Sequence, residues 1–577
     1  MLKTILKEVK EFKLASILTP ILMLLEVISE LMIPLMMGFI IDKGINSSNL
    51  NAVFKYGSLM LICAFAALLF GGLSAHYGAY AAAGLAKNLR STMFKKIQGF
   101  SFKNIDKFET SSLITRMMTD VTNTQHSYQM SLRMGVRAPF TFIIALFMTF
   151  SINKKLASIF LYAIIFLAIS LLSMMYFARI AFKEAFERYD DLNSSIQENV
   201  SNIRVVKAYV KEKDETARFI KTTKKLYDAF VKAENITVLN SPIMMLTTNA
   251  CIIALSWFGA NMIVNKTLTT GELMSMFTYT MNILHSLMMV SFFFIMIIMS
   301  FASMKRISEI INETPSITNP KNPITEVKDG SISFKDVCFE YYDNTEDYVL
   351  YNINLDIKSG ETIGIIGGTG SSKSTLVQLI PRLYDVSLGS IEVGGVDVRN
   401  YDLKILRDAV SMVLQKNTLF SGTIKDNLKW GNKNASDEEI IEAAKHAQAH
   451  DFIMSFKDGY DTHIEQGGTN VSGGQKQRLT IARALLKKPK ILILDDSTSA
   501  VDTATDAHIR KAFREELPDI TKLIISQRIS SIIDADRIIV LDDGKINGIG
   551  THEELLETNN IYQEVYETQY KGGDSHE

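Results

Sequence analysis

The sequence is poor in cysteine, and this scarcity excludes two kinds of stabilised domain. Its 577 residues include only three cysteines, Cys63, Cys251 and Cys338, which lie far apart and form no C-x-x-C pair. A disulfide framework or a structural zinc site needs more cysteines at closer spacing. The three thiols are therefore expected to pack in apolar surroundings.

An excess of charge of either sign is also missing. The chain carries 61 Lys and Arg against 62 Asp and Glu, which gives a net charge of −1. Such a balance provides no overall attraction to nucleic acid, so no nucleic-acid partner is predicted. The first residues, Met1 to Phe12, are charged and amphipathic and lack a short apolar segment with a cleavage site. No removable signal peptide is expected.

Apolar residues, in contrast, are abundant and unevenly distributed. They make up 47% of the chain, and the mean hydropathy of +0.12 is high for a purely soluble protein. A membrane span needs roughly 20 mainly apolar residues. The stretches that meet this length are 14–41, 57–86, 130–152, 156–181, 237–264 and 273–303. We therefore predict an all-α transmembrane domain of six helices over residues 1–311.

The polar segments between the spans predict the topology. The gaps 87–129 and 182–236 are long, helix-like and rich in Lys and Arg, so they and the N-terminus are expected in the cytoplasm. Lys154 and Lys155 oppose this rule, but six spans with both ends inside place them on an outer turn. The predicted location is the plasma membrane, with multiple spans.

Some polar residues lie within the predicted spans. Glu26 and Glu30 are four residues apart on one helical face, which should therefore line water or protein rather than lipid. His76 and Arg137 are interpreted as packing residues that bond between helices. For three others a polar cavity and helix packing remain equally open: Asn249, Asn282 and His285.

Beyond the spans the pattern changes to that of a soluble domain. Residues 312–330 contain three of the ten prolines and are interpreted as a linker. Short apolar runs then alternate with helical patterns, which predicts an α/β domain around a largely parallel sheet over residues 331–577. The strand-like runs are 331–334, 362–366, 411–414, 491–494, 523–526 and 537–541.

A glycine-rich turn follows the run 362–366 and opens a helix. Its residues are Gly367, Gly368, Thr369, Gly370, Ser371, Ser372, Lys373, Ser374 and Thr375. Glycines in such a turn let backbone N–H groups converge on phosphate oxygens, and the helix N-terminus and Lys373 add positive potential. The turn is typical of a P-loop nucleotide site. The strict pattern has glycine before the lysine, where this chain has Ser372.

Two further motifs support nucleotide chemistry. The run from Ile491 ends in Asp495 and Asp496, of which the first can hold the Mg²⁺ of a nucleotide and the second can orient the attacking water. The segment Ser472, Gly473, Gly474 and Gln475 opens another helix, whose N-terminus could receive a phosphate. ATP and Mg²⁺ are the predicted cofactors.

With these motifs in this order, the sequence resembles ATP-binding cassette (ABC) exporters over essentially its whole length. The resemblance implies that Tyr341 stacks on adenine, that Lys373 contacts the β- and γ-phosphates, and that Asp495 holds the metal. It also implies that Ser374 and Gln415 ligate or approach Mg²⁺, with Gln415 counted among the catalytic residues.

The same resemblance implies contacts between subunits and domains. The signature Ser472 to Gln475 of one subunit would complete the nucleotide site of the other, and Asp502, in the loop from Ser499, would lie at the dimer interface. The stretches Phe102 to Asp120 and Glu198 to Glu215 look like the intracellular loops that dock onto the nucleotide-binding domains.

The chain departs from the family pattern at three positions of one site. Efficient family members have Glu where this chain has Asp496 and His where it has Gln527, besides the glycine replaced by Ser372. Aspartate is one methylene shorter, and a misplacement of about 1 Å can cost roughly 10²-fold in rate. Gln527 can donate a hydrogen bond but cannot carry the imidazole's charge.

An intact signature beside a weakened site resembles one subunit of a heterodimeric exporter with a degenerate site. The partner would be a second half-transporter carrying the Glu and the His, because a homodimer would repeat the departures in both sites. A homodimeric exporter, a lipid or peptide exporter, and an ATP-gated pore or regulatory subunit remain as alternatives. Methionine-rich spans and the Glu26/Glu30 pair would suit amphipathic, cationic cargo of the multidrug type.

Overall fold

A computed structural model describes residues 1–341, 347–496 and 501–570. The chain divides into two compact units. The first comprises Met1–Lys96 and Ser111–Glu313, and the second comprises Ile97–Thr110 and the chain from Thr314 onward.

Helices fill the chain up to residue 312. They are α1 (Leu2–Lys7), α2 (Lys13–Phe39), α3 (Leu50–Gln98), α4 (Phe102–Phe108), α5 (Thr110–Thr115), α6 (Val121–Ile152), α7 (Lys154–Ser201), α8 (Ile203–Ala208), α9 (Glu212–Val238), α10 (Asn240–Val264) and α11 (Thr270–Asn312). Short π-helical segments continue α2 at Ile40–Ile45 and precede α6 at Arg116–Asp120.

Among the described residues, six helical stretches are long and apolar enough to cross a membrane, which confirms the predicted spans. They are Lys10–Ile45, Leu50–Gln98, Thr110–Ile152, Lys154–Ser201, Glu212–Val264 and Thr270–Asn312. The 49 residues of α3 would extend over about 73 Å at 1.5 Å per residue, against about 30 Å of hydrocarbon. The polar gaps are therefore largely helical continuations of the spans.

The first unit is held together by α2, α6 and α11, which pack against one another. Hydrogen bonds join α11 to the backbone of α2: Tyr279 Oη donates to the carbonyl of Leu31 at 2.8 Å, and Ser275 Oγ donates to that of Pro34 at 2.8 Å. At the start of α11, Asp42 accepts from the backbone N–H of Gly271 at 2.9 Å. The two helices are thus fixed in register by buried polar contacts.

The second unit contains two main sheets. The strands are β1 (Ile332–Phe339), β2 (Leu350–Ile357), β3 (Thr362–Gly367), β4 (Leu388–Val393), β5 (Val396–Asp397), β6 (Val410–Val413), β7 (Gly422–Thr423), β8 (His463–Ile464), β9 (Ile491–Asp495), β10 (Thr521–Ile525), β11 (Arg537–Asp542) and β12 (Lys545–Gly550).

The larger sheet has the order β12-β11-β3-β10-β9-β6, with every neighbouring pair parallel except β11 and β12. This confirms the predicted α/β domain around a largely parallel sheet. A second, antiparallel sheet has the order β2-β1-β4-β5. The predicted strand-like run 331–334 belongs to this sheet, as part of β1, and not to the parallel sheet. The strands β7 and β8 form a separate antiparallel pair.

Helices cover the larger sheet and extend from it. They are α12 (Lys373–Gln378), α13 (Leu403–Ala409), α14 (Ile424–Leu428), α15 (Asp437–His446), α16 (His450–Ser455), α17 (Gly473–Leu485), α18 (Thr503–Glu515), α19 (His552–Thr558) and α20 (Asn560–Tyr570). Two apolar clusters form the core on the two sides of this sheet, since alternate residues of β9, such as Leu492 and Ile493, belong to different clusters.

The short helix α4 belongs to the second unit although it lies early in the sequence. Ser101 caps α4, and Asn104 Nδ2 donates to the carbonyl of Thr314 at 3.1 Å. Tyr384 Oη donates to Asp106 Oδ2 at 2.6 Å, while the Phe102 ring meets the Tyr384 ring edge-on. This part of the predicted loop Phe102 to Asp120 is therefore anchored to the nucleotide-domain fold.

The close approach of α2 and α11 generates a testable prediction. A Cβ atom on Gly271 would overlap the carbonyl oxygen of Gly38 and approach the carboxylate of Asp42. We expect Gly271→Ala to cost about 1–3 kcal/mol by overpacking and to lower the thermal unfolding midpoint of the purified chain. Gly57→Ala is the matched control, because a Cβ there meets nothing within 4 Å. Equal midpoints for the two variants would contradict the packing described.

Candidate nucleotide-binding site

The site is built where three neighbouring parallel strands end at one edge of the larger sheet. Ile365 of β3 is paired with Ile525 of β10, and Ile525 is paired with Asp495 of β9. Because parallel strands share a carboxyl-terminal edge, the segments that follow them converge. The phosphate loop follows β3, Asp496 follows β9, and Gln527 lies two residues after β10.

The phosphate loop turns its lysine onto its own backbone. Lys373 Nζ donates to the carbonyls of Gly367 at 2.8 Å and Gly368 at 2.7 Å, and to Ser371 Oγ at 3.2 Å. Burial lowers the pKa of Lys373, and the charges of the two aspartates oppose this shift. The Lys373 ammonium group can exchange these carbonyl and hydroxyl acceptors for phosphate oxygens. The phosphate loop therefore fits the phosphate chain of a nucleotide.

The predicted metal residues are in contact. Ser374 Oγ donates to Asp495 Oδ1 at 2.9 Å, and Asp495 is buried at the end of β9. Burial raises the pKa of Asp495, and the neighbouring charge of Asp496 adds to this shift. Hydroxyl and carboxylate oxygens are ligands that Mg²⁺ prefers. A bound Mg²⁺ would neutralise charge on the phosphates.

This donor set is too small to hold a metal by itself. The described part of the chain contains no group of three or more His, Cys, Asp or Glu side chains that could bind one. Mg²⁺ commonly completes its coordination with waters and substrate phosphates rather than with a cage of protein ligands. The arrangement therefore fits a metal that arrives with its nucleotide.

Asp496 and Gln415 are also brought together. Their side chains are hydrogen-bonded, and this bond lowers the pKa of Asp496 against the larger raising effect of burial. The backbone of Asp496 has φ of 46°, and its N–H donates to the carbonyl of Ile525 at 3.1 Å. The backbone of Asp496 thus lies beside the end of β10, at the edge of the sheet where the phosphate loop begins.

The loop that carries Gln527 is held by a residue that no motif marks. Gln569 of α20 donates from Nε2 to the carbonyl of Gln527 at 2.6 Å and accepts from the N–H of Ile529 at 3.0 Å. The side chain of Gln527 is exposed. Because Gln569 acts on backbone groups 40 and 42 residues away, only the folded chain reveals its positioning role.

Tyr341 lies beside the phosphate loop. Its hydroxyl is 2.9 Å from Thr375 Oγ1, and its ring meets Phe339 and Tyr384 edge-on at 4.9 and 5.3 Å. Burial raises the pKa of Tyr341. The aromatic predicted to stack on adenine is therefore in the same site, and Tyr384, which the sequence did not indicate, links it to Asp106 of α4.

The signature residues form a separate group. Ser472 caps α17, accepting from the N–H of Gln475 at 3.3 Å and donating its own N–H to Gln475 Oε1 at 2.9 Å. Asp502 caps α18, and its hydrogen bonds with Thr505 lower its pKa, helped by the charge of Arg478 on α17. Ser499 and Ala500 of the predicted loop lie outside the described residues.

Within the described chain, none of the four signature residues hydrogen-bonds to the phosphate loop. Gly473 and Gly474 are the first two residues of α17, so the side chains at that helix N-terminus are those of Ser472 and Gln475. A backbone end of this kind can accept an anion.

The membrane unit contains a second candidate site, a cavity of about 860 Å³. Glu30, Asn282 and His285 line it, whereas Asn249 and His76 are exposed elsewhere. The predicted packing role of Arg137 agrees with its ion pairs to Glu26 and, at 2.6 Å, Glu30, although Arg137 also lines the cavity.

Comparisons with known proteins agree with this architecture. The family profile of the ABC transporter transmembrane region matches residues 16–288, and that of the ABC transporter matches residues 350–499. The chain is 38% identical to the uncharacterized ABC transporter ATP-binding protein YfiB of Bacillus subtilis, over 97% of each chain. It is 31% identical to YgaD of the same organism, whose name proposes a multidrug export ATP-binding/permease protein, over 99% of this chain and 98% of that one.

A solved structure has the same fold. The structure of a bacterial Atm1-family ABC exporter with ATP bound matches with a TM-score of 0.82 at 24% identity, covering 97% of this chain and 99% of that one. The ATP-binding domain implies ATPase activity, and the spans place the protein in the plasma membrane with that domain in the cytoplasm. The chain therefore belongs to the ABC transporter family, as an exporter whose transmembrane and nucleotide-binding domains are fused in one polypeptide.

Proposed function

We propose that this chain is the degenerate-site half of a heterodimeric ABC exporter of amphipathic compounds. Its own phosphate loop binds ATP and hydrolyses it slowly, while its signature completes the faster site on a partner half-transporter. The observation that carries the proposal is the convergence of Ser372, Asp496 and Gln527, the three departures from the family pattern, on one edge of the sheet.

The effect of Ser372 is on the conformation of the backbone and not on a contact with the nucleotide. It has φ of 70° and ψ of 23°, the left-handed conformation that glycine adopts freely. A residue with a Cβ there costs roughly 1–2 kcal/mol. The site is therefore built with a strained loop directly before Lys373, whose positioning phosphoryl transfer requires.

Asp496 and Gln527 affect the hydrolytic step. Asp496 is tied to Gln415 and has a backbone φ of 46°, so its short side chain has little freedom to reach a water farther away. Gln527 presents an amide where a charged imidazole would stabilise the developing negative charge. Since phosphoryl transfer depends on positioning and electrostatics, both changes slow the same reaction.

Exposed apolar side chains support a partner subunit. Around α8, Val205, Tyr209 and Val210 are 55%, 74% and 79% exposed. Clustered apolar side chains in a polar cytoplasmic segment are typical of a protein contact. A relative whose name proposes multidrug export and the cavity of the membrane unit support amphipathic cargo.

The departures can be reversed, which gives a gain-of-function prediction. We expect Ser372→Gly, Asp496→Glu and Gln527→His, combined in one chain, to raise the ATP turnover of the chain purified alone by roughly 10²-fold. Phosphate release in lipid nanodiscs measures the rate. The control is Asp543→Glu, an exposed aspartate that also has a positive φ, of 44°. A wild-type rate equal to that of the triple variant would rule out a degenerate site.

The asymmetry of the dimer can be tested in the complex. After co-purification with a second half-transporter, Asp496→Asn should lower ATP turnover by less than about threefold, because the other site carries most of the flux. Replacing the corresponding glutamate of the partner by glutamine should abolish turnover. If the chain purifies only as a homodimer with full activity, the heterodimer proposal is wrong.

The strain at Ser372 can be tested separately. Ser372→Gly should tighten the binding of a fluorescent ATP analogue and raise the thermal unfolding midpoint, with a gain of about 1 kcal/mol from the relieved conformation. Ser372→Ala retains the Cβ and removes only the hydroxyl, so it should gain nothing. An equal gain from both variants would show that the hydroxyl, and not the backbone, is unfavourable.

A further inference from the structure

The cavity of the membrane unit runs along one face of α6. The residues Asn123, Met130, Arg133, Arg137 and Thr141 line it at helical spacing and face α11. Their span of 18 residues corresponds to about 27 Å along the helix. With a volume of about 860 Å³, the cavity is within the range that holds drug-sized ligands, roughly 300–1,000 Å³.

The acidic groups near the cavity are paired with an arginine of the same chain. Arg137 forms ion pairs with both Glu26 and Glu30, so the two carboxylates on α2 share one guanidinium. Glu26 also lies against Gly71 of α3 and is mostly buried. Carboxylates that are held by an arginine of the same chain are less available to a cationic ligand, which argues against the cationic cargo suggested by the sequence.

Of the two arginines that line the cavity, Arg133 is the one without an ion pair in the described part of the chain. It lies one helical turn before Arg137, and it has no hydrogen bond or ion pair among the described residues. Its Nε atom is buried without a partner. The aliphatic part of its side chain lies against Gly78 of α3, because a Cβ on Gly78 would lie 3.4 Å from Arg133 Cδ. The stem is thus held, and the guanidinium lines the cavity.

Apolar and neutral polar groups surround this charge. Five methionines line the cavity on α2, α6 and α11: Met23, Met130, Met134, Met289 and Met296. Flexible thioethers adapt to apolar ligands of varied shape. His126 and His285 provide further hydrogen-bonding groups.

We propose that the cavity takes an amphipathic anion, whose carboxylate, sulfonate or phosphate binds the Arg133 guanidinium while its apolar body packs on the methionines. A guanidinium whose buried Nε has no partner is unfavourable, and a bidentate acidic group is the partner that its geometry matches. This assignment rests on the proposed function, since it names the chemical class of the exported compound.

Direct binding tests the assignment without ATP. The full chain in phosphatidylcholine nanodiscs is titrated with a dansyl-labelled dodecanoate and with a dansyl probe of equal length ending in a quaternary ammonium. Fluorescence anisotropy is measured, and empty nanodiscs are subtracted. We expect the wild type to prefer the anion, and Arg133→Gln to weaken anion binding by roughly tenfold or more without weakening the cation.

Two control variants separate the loss of the Arg133 charge from a general disturbance of the protein. Arg133→Lys retains the charge and should restore most of the preference for the anion. Arg179→Gln removes an exposed arginine of α7 outside the cavity and should change nothing. Equal binding of the two probes to the wild type, or unchanged anion binding in Arg133→Gln, overturns the assignment.

Two further measurements identify the source of the anion and separate this inference from export itself. Competition by phosphatidylglycerol placed in the nanodisc would support a lipid anion, and its absence a non-lipid amphiphile. Stimulation of ATP turnover by the anionic probe is measured on the co-purified complex. Anion binding without stimulation or vesicle transport overturns the export function, whereas stimulation without charge preference overturns only the anion site.

Discussion

The parallel pairing of β3, β10 and β9 is the constraint on which the nucleotide site depends. It brings the ends of three segments that are far apart in sequence to one edge, where Ser374 meets Asp495 at 2.9 Å and Asp496 meets Gln415. The same edge collects all three departures from the family pattern. Because phosphoryl transfer depends on positioning, small changes concentrated at one edge affect one step, and the rest of the domain can remain intact.

A comparable constraint organises the membrane unit. The packing of α2, α6 and α11 places one arginine between two glutamates and leaves a second arginine, one turn away, facing the cavity. Buried charges persist only when they are paired or when a ligand pairs them. Under the proposed anion site, cargo preference depends on which ion pairs the helices complete, and not on how many acidic residues a span contains.

Elements that are encoded by contiguous residues were predicted well, whereas contacts between residues far apart in sequence were not. The six spans and the parallel-sheet strands were found because hydrophobic length and periodicity are properties of contiguous residues. The antiparallel sheet around β1 was missed, since its partners are separated by register shifts and long insertions. Gln569 carries no motif and acts only through backbone contacts at the end of β10.

The sequence by itself determined the order of the domains, the phosphate loop, the signature and the identities of the three unusual residues, because each is written in a short, contiguous pattern. Tertiary structure alone decided that Ser372 adopts a left-handed backbone, that Arg137 pairs with both Glu26 and Glu30, and that Arg133 has no ion pair among the described residues. The physical reason is that backbone strain and ion pairing depend on which groups lie close together in the folded chain. A short sequence motif does not specify those contacts.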